Sequence, residues 1–155
     1  MLNDLDTILI SEEQIKKRTA ELAAVLNADY AGKELVMICV LRGAIMFYAD
    51  LLRNMEINVI TAYMAVSSYG SGTHTSGNIR LTYDLDENIT SKNVLIVEDI
   101  VDSGLTIDFL LRSLSLKKPN SLKTCSLLDK PSRRKVDYTP DYTGFVIEDG
   151  FVVGY

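Results

Sequence analysis

Glu98, Asp99, Asp102, Ser103 and Thr106 are packed into nine residues, and together they could hold an alcohol-rich anion. They lie in the run Val94-Leu95-Ile96-Val97-Glu98-Asp99-Ile100-Val101-Asp102-Ser103-Gly104-Leu105-Thr106. Two adjacent carboxylates follow a stretch apolar enough to be a buried strand. Left unpaired inside a protein they would be costly, so they should meet water, a cation or hydroxyl donors. Neighbouring carboxylates suit a vicinal diol, each accepting from one hydroxyl, and can help hold a Mg²⁺ that keeps most of its waters. Asp102-Ser103-Gly104-Leu105-Thr106 then opens a helix. Free N–H groups, the helix dipole, a close approach at Gly104 and two hydroxyls make a place for a phosphate monoester. A diol site beside a phosphate site describes a ribose 5-phosphate. The plainer reading, in which Asp99 or Asp102 caps the helix and Glu98 is solvated, accounts for single residues better than for the whole run.

Other chemistries find less support. No GxxxxGK[ST] or GxGxxG pattern is present, which disfavours nucleoside triphosphate hydrolysis and dinucleotide binding. His74 is the only histidine, so a histidine-based zinc site or a Ser-His-Asp triad has little to stand on. Cys39 and Cys125 sit among apolar or β-branched neighbours and read as reduced core thiols.

The elements that must position these residues alternate. Ser11-Glu12-Glu13-Gln14 is a capping box, and Ile15, Thr19, Leu22 and Leu26 form one stripe of a helix ending near Asn27. Leu35–Val40 is a six-residue buried strand. A helix over Ala44–Met55 follows, with Ile45, Leu51, Leu52 and Met55 inward. Ile57–Val66 is β-rich. Ser67–Asn78 breaks all periodicity and reads as a long functional loop, with Ile79–Tyr83 as the returning arm of a ribbon. Asn93–Val97 is a strand, then comes the acidic turn and a helix over Leu105–Lys117. Ser121–Leu128 is a further strand, ending at Asp129-Lys130, and Ser132-Arg133-Arg134-Lys135 reads as a solvated basic turn. Gly144–Ile147 and Phe151–Tyr155 close the chain. Strands apolar on both faces, alternating with helices, imply an α/β fold with a parallel sheet covered on both sides. Ligands in such sheets bind beyond the carboxyl ends of the strands. Leu41–Gly43, Glu98–Thr106 and Asp129–Lys130 are three strand ends carrying polar or glycine-containing turns.

A chain of 155 residues with 47% hydrophobic and 24% charged residues fits one domain with one real core. The net charge of −5 argues against general binding to nucleic acid or other polyanions. Met1–Ile10 has no basic stretch or long apolar run, and no segment is long enough to span a membrane. These features suggest a soluble, cytoplasmic protein.

Val97 to Thr106 resembles the phosphoribosyl diphosphate-binding motif of type I phosphoribosyltransferases. The similarity runs nearly end to end, through Val40-Leu41-Arg42-Gly43-Ala44, Ser67-Ser68-Tyr69-Gly70, Leu127-Leu128-Asp129-Lys130-Pro131 and Gly150-Phe151-Val152-Val153-Gly154-Tyr155. The Asp-Lys-Pro and Phe-Val-Val-Gly-Tyr segments point within that family to the bacterial hypoxanthine-guanine group. The resemblance implies a central parallel sheet flanked by helices, a small hood lobe and a flexible β-ribbon lid, all in one domain over residues 1–155. It implies that purine N9 displaces pyrophosphate from C1 of phosphoribosyl diphosphate with Mg²⁺, the base being a 6-oxopurine. Glu98 and Asp99 would then hold the ribose hydroxyls and the Mg²⁺ environment. Asp102 would act as general base or acid near purine N7, and Ser103, Gly104, Leu105 and Thr106 would bind the 5-phosphate. Arg42 and Gly43 would bind pyrophosphate, with a non-proline cis peptide at Leu41-Arg42, and Ser68 and Tyr69 would belong to a lid over it. Lys130 would reach the exocyclic O6, Phe151 would stack on the purine, and the Val152 backbone would meet the base edge. Taken alone, Phe151 reads as a core aromatic. His74 gets no role. The family also implies a homodimer or homotetramer. Its members continue past the Gly-Tyr matched here by Gly154-Tyr155, so the chain is expected to lack a C-terminal tail that contributes to base and pyrophosphate binding. Two rivals stand beside this reading: a phosphoribosyl diphosphate-sensing regulator on the same fold, and a receiver-like domain with a Mg²⁺–phosphoacceptor site.

Overall fold

A computed structural model describes residues 7–69 and 78–155, apart from the side chains of 68, 69 and 78. Ser11 opens the first helix, α1 (Glu12–Asp29), with the expected reciprocal cap. Gln14 N–H donates to Ser11 Oγ at 3.2 Å, and Ser11 N–H donates to Gln14 Oε1 at 2.7 Å. The helix then alternates with strands: β1 (Leu35–Leu41), α2 (Ile45–Arg53), β2 (Val59–Tyr69), β3 (Asn78–Tyr83), β4 (Asn93–Val101), α3 (Leu105–Ser115), β5 (Ser121–Asp129) and β6 (Tyr142–Val146). A short 3₁₀ turn, Pro131–Arg133, follows β5.

The six strands form one sheet in the order β3-β2-β1-β4-β5-β6. Five run parallel, and β3 returns antiparallel along β2 as the arm of a ribbon. The two-residue side-chain period of a strand explains the two cores. Leu35, Met37 and Cys39 of β1 point with Leu95 and Val97 of β4 toward α1 and α2. Val36, Ile38 and Val40 point the other way, with Val94 and Ile96, onto Ile107, Leu110 and Leu114 of α3. Every side chain from Leu35 to Val40 is therefore buried, as expected of a central parallel strand.

Three features depart from expectation. Strand β4 does not stop at Val97: it continues through Glu98, Asp99 and Ile100 to Val101, with Glu98 opposite Ser126 and Val101 opposite Asp129. The predicted acidic turn thus shrinks to Asp102–Gly104. In the α2 region Leu51, Leu52 and Met55 pack on the core as expected, joined by Phe47 and Tyr48, while Ile45 is exposed. Tyr48 can be buried because its hydroxyl donates to the Met37 carbonyl at 2.9 Å. Finally, β2 reaches Tyr69, and Ser67, Ser68 and Tyr69 pair with Arg80, Ile79 and Asn78, so the expected loop is narrower than Ser67–Asn78. Its remainder, residues 70–77 with His74, lies outside the described residues.

Candidate active site at the ends of three central strands

The sheet order makes β1, β4 and β5 neighbours, so their C-terminal ends converge. These ends carry Arg42-Gly43, Asp102–Thr106 and Asp129-Lys130, within the segments Leu41–Gly43, Glu98–Thr106 and Asp129–Lys130 singled out from the sequence. The turn after β1 contains the cis peptide Leu41-Arg42 at the expected place. Arg42 is exposed, and its carbonyl accepts from Ile45 N–H at 3.2 Å to start α2.

Gly43 brings this turn against β4. A Cβ placed on it would lie 2.1 Å from Asp99 Oδ2 and 2.7 Å from Asp99 Cγ. The missing side chain is therefore what lets the Asp99 carboxylate rest on the β1–α2 turn. Asp99 is half-buried, whereas Glu98 is only 7% exposed. Burial, with the Asp99 charge adding to it, pushes the Glu98 carboxyl well above the usual range. The plainer reading of a solvated Glu98 is corrected: strand β4 carries Glu98 indoors.

The turn after β4 closes around Gly104, the N-cap of α3, with φ +80. Glycine is needed there twice over. The conformation is left-handed, and a Cβ would come within 2.7 Å of Val136 Cγ2 and 2.9 Å of Arg134 Cδ. A glycine N-cap offers no side chain to the first helical amides. Leu105 N–H meets only a long contact to Ser103 Oγ, at 3.4 Å. The helix start thus keeps donors for an incoming anion, with the positive end of the dipole behind them. Ser103, Leu105 and Thr106 are partly exposed around it.

Asp102 precedes this turn with one oxygen in and one out. Its Oδ1 is buried and takes part in no hydrogen bond, although Arg133 Nε stands 3.4 Å away. A buried acceptor with an ion pair but no hydrogen bond keeps capacity for a ligand proton.

At the third turn stands Lys130, and one of its basic neighbours, Arg134, departs from the expected solvated turn. Lys130 is only 6% exposed, and its ammonium donates to the Gly150 carbonyl. An ammonium has three donors, so this bond leaves capacity for a second acceptor. Its backbone N–H donates to the Val101 carbonyl at 2.9 Å, tying the β5 end to the β4 end. Arg134 is half-buried, its side chain 12% exposed, whereas Arg133 and Lys135 are exposed as a solvated turn requires. Its guanidinium pairs with Asp129 and donates to the carbonyls of Val101 and Asp102. The sequence held one signal for it. Asp129, an acid ending an apolar strand, needs a cation, and Arg134 is five residues on.

Phe151 is 96% exposed and so does not serve as a core aromatic; Val152 beside it is half-buried. Ser68 and Tyr69 lie at the end of β2 in the ribbon, and their side chains lie outside the description. A separate surface cavity of about 240 Å³ is lined by Lys16, Thr19, Asp50, Arg53 and Asn54 of α1 and the α2 end. It touches none of the three turns.

An open, largely parallel α/β sheet with a glycine-turned helix start and acid, cation and amide donors at adjacent strand ends defines a protein that handles phosphorylated sugars or nucleotides. Comparison with known proteins narrows the class. Residues 7–155 match the phosphoribosyl transferase domain, and the chain belongs to that family. It is 46% identical to hypoxanthine-guanine-xanthine phosphoribosyltransferase of Tritrichomonas foetus over all of this chain and 85% of that protein. It is 43% identical to hypoxanthine-guanine phosphoribosyltransferase of Bacillus subtilis, covering 100% and 86%. A hypoxanthine phosphoribosyltransferase from Staphylococcus aureus superposes with TM-score 0.95 at 43% identity, covering 100% of this chain and 84% of that one. A hypoxanthine-guanine phosphoribosyltransferase from Bacillus anthracis, solved with HEPES in its active site, gives 0.93 at 49%, covering 98% and 89%. A receiver-like domain is thereby excluded.

Proposed function

We propose that this protein is a purine-salvage transferase that moves the 5-phosphoribosyl group of phosphoribosyl diphosphate to N9 of a 6-oxopurine, hypoxanthine or guanine. The products are inosine or guanosine monophosphate and pyrophosphate. The observation that carries the reading is the convergence of three turns with different chemistry on adjacent strands, in a chain from this family.

In the reaction the C1–oxygen bond to pyrophosphate breaks, the N9–C1 bond forms, and the base gives up a proton. C1 passes through an oxocarbenium-like state, so the site must hold both ends of a separating charge. The amides at Ser103–Thr106 would fix the 5-phosphate and thereby the sugar. Asp99, seated on Gly43, would accept from a ribose hydroxyl, with Glu98 behind it. Asp102, whose buried oxygen takes part in no hydrogen bond, would take the base proton at N7. Arg42 and the Gly43 backbone would bind pyrophosphate, with Ser68 and Tyr69 of the ribbon over it. The Lys130 ammonium would donate to O6. Adenine would offer an amino group in that place, and two donors facing each other cost affinity. The exposed face of Phe151 would stack on the purine beside the Val152 backbone.

Among the described residues no cluster of three or more acidic, histidine or cysteine side chains could cage a metal. That donor set fits a Mg²⁺ held mainly by substrate oxygens, with Asp99, and Glu98 once ionised, on its protein side. When bound it would neutralise charge on the leaving pyrophosphate. Assembly as a homodimer or homotetramer belongs to the same reading. Among the described residues no helix is long and apolar enough to cross a membrane.

The test is pyrophosphate release with phosphoribosyl diphosphate, Mg²⁺ and each base in turn. Hypoxanthine or guanine should support turnover and adenine should not. Tight binding of phosphoribosyl diphosphate without release from any base would favour the sensor instead.

A further inference from the structure

The turn that carries Asp102 and the phosphate-binding amides does not stand alone. Three donors from the segment after β5 hold its backbone from beneath. Lys130 N–H donates to Val101 O at 2.9 Å and Lys135 N–H to Ser103 O at 2.9 Å. Between them the Arg134 Nη1 donates to Val101 O at 3.2 Å and to Asp102 O at 2.8 Å. The other end of the same guanidinium, Nη2, is paired with Asp129, and the two side chains are 12% and 4% exposed. The aliphatic stem of Arg134, with a methyl of Val136, fills the space that a side chain on Gly104 would need. Charge, two carbonyls and a packing contact thus meet in one side chain.

We propose that Arg134 is a positioning residue for the transfer reaction, setting the backbone from which Asp102 and the Ser103–Thr106 amides face the substrate. The inference rests on the function proposed above. A planar guanidinium can bridge a carboxylate on one side and carbonyls on the other in a fixed geometry, which an ammonium cannot. Asp129 anchors the guanidinium to the strand end next to Lys130. The purine side and the phosphate side of the site are therefore held in one register through the Arg134–Asp129 pair.

A purely structural role would make function follow stability, and three variants separate the two. Arg134→Gln leaves Asp129 buried without its cation and should melt earlier. Asp129→Asn with Arg134→Gln removes both charges and should recover most of the parent melting temperature. Its affinity for inosine monophosphate by calorimetry, and its kcat, should nevertheless stay down by roughly 10²-fold, the loss expected when a reacting group shifts by about an ångström. Arg134→Lys keeps a cation beside Asp129 and should fold like the parent. It should lose on the order of 10-fold in kcat and in affinity for phosphoribosyl diphosphate, because one ammonium cannot straddle all three partners. Activity restored together with stability in the double variant would overturn the proposal. So would parent-level kcat and nucleotide affinity in Arg134→Lys, which decides the matter if the double variant does not fold. A parent enzyme that forms no inosine monophosphate would instead refute the proposed reaction, while the calorimetric comparison would still judge Arg134.

Discussion

Gly43→Ala isolates one contact whose size can be read from the structure. The new Cβ would lie 2.1 Å from Asp99 Oδ2, 2.7 Å from Cγ and 3.0 Å from Oδ1, where ordinary contact begins near 3.4 Å. The carboxylate must therefore retreat by more than an ångström. Gly43 does not have a positive φ, so alanine brings no backbone strain. Asp99 is half-buried with a short side chain that can swing, so the fold should absorb the change. A melting-temperature loss of about 2–4 °C would correspond to roughly 1 kcal/mol in a chain of this size, and no more is expected. Catalysis should suffer far more, since misplacing a substrate-holding group by about 1 Å costs roughly 10²-fold. That is about 2.7 kcal/mol of barrier. The assay is formation of inosine monophosphate from hypoxanthine at varied phosphoribosyl diphosphate, with the loss in kcat/KM for the sugar phosphate. Adding Asp99→Ala to Gly43→Ala should cost little beyond the worse single change, because both act through one carboxylate. Parent-level kinetics in Gly43→Ala, or full additivity in the double variant, would refute the idea that Gly43 acts by seating Asp99.

Three further outcomes follow from burial and charge. Glu98, with its carboxyl raised by burial, contributes stability in its protonated form; this is fully present below the ordinary carboxylate range and is lost as pH rises through the raised value. Glu98→Gln should therefore match the parent in melting temperature near pH 4 and exceed it increasingly toward pH 8, and a constant difference across that range would contradict the assignment. Burial pushes the thiols of Cys39 and Cys125 up to about 12, so native protein at pH 8 should resist iodoacetamide and label only when denatured. Rapid native alkylation, read by mass spectrometry, would show that the core opens. Asp102→Asn keeps the shape of the turn but removes the proton acceptor, and kcat should fall by ~10²–10⁴ with little change in melting temperature; an unchanged kcat would take the acid–base role away from Asp102.

How much of this could be read from the chain depends on where the determining contacts are. The three central strand cores were legible because a parallel strand covered on both faces must be apolar at every position, and Leu35–Val40 is. The end of β4 was not, because the ladder there is kept by backbone pairing with β5 while the side chains turn polar. Glu98 looks like the first residue of a turn only if its partner strand is ignored; opposite Ser126 it remains a strand residue, and that is why it is buried. In α2 the reading holds for Leu51, Leu52 and Met55 but fails in the first turn, where Ile45 is exposed and Phe47 and Tyr48 are buried. Nine helical residues give too few turns to fix the stripe, and Tyr48 counts as inward only once the Met37 carbonyl is known to receive its hydroxyl. Arg134 shows the same limit at the site. In sequence it is the middle of three consecutive basic residues, and two of them, Arg133 and Lys135, are indeed exposed. What singles out the third is the glycine at 104, thirty positions earlier, whose missing side chain leaves room for the arginine stem. The chemistry of the candidate site is thus written locally in Glu98–Thr106, while its rigidity is set by a partner that only the register of β4 against β5 brings into reach.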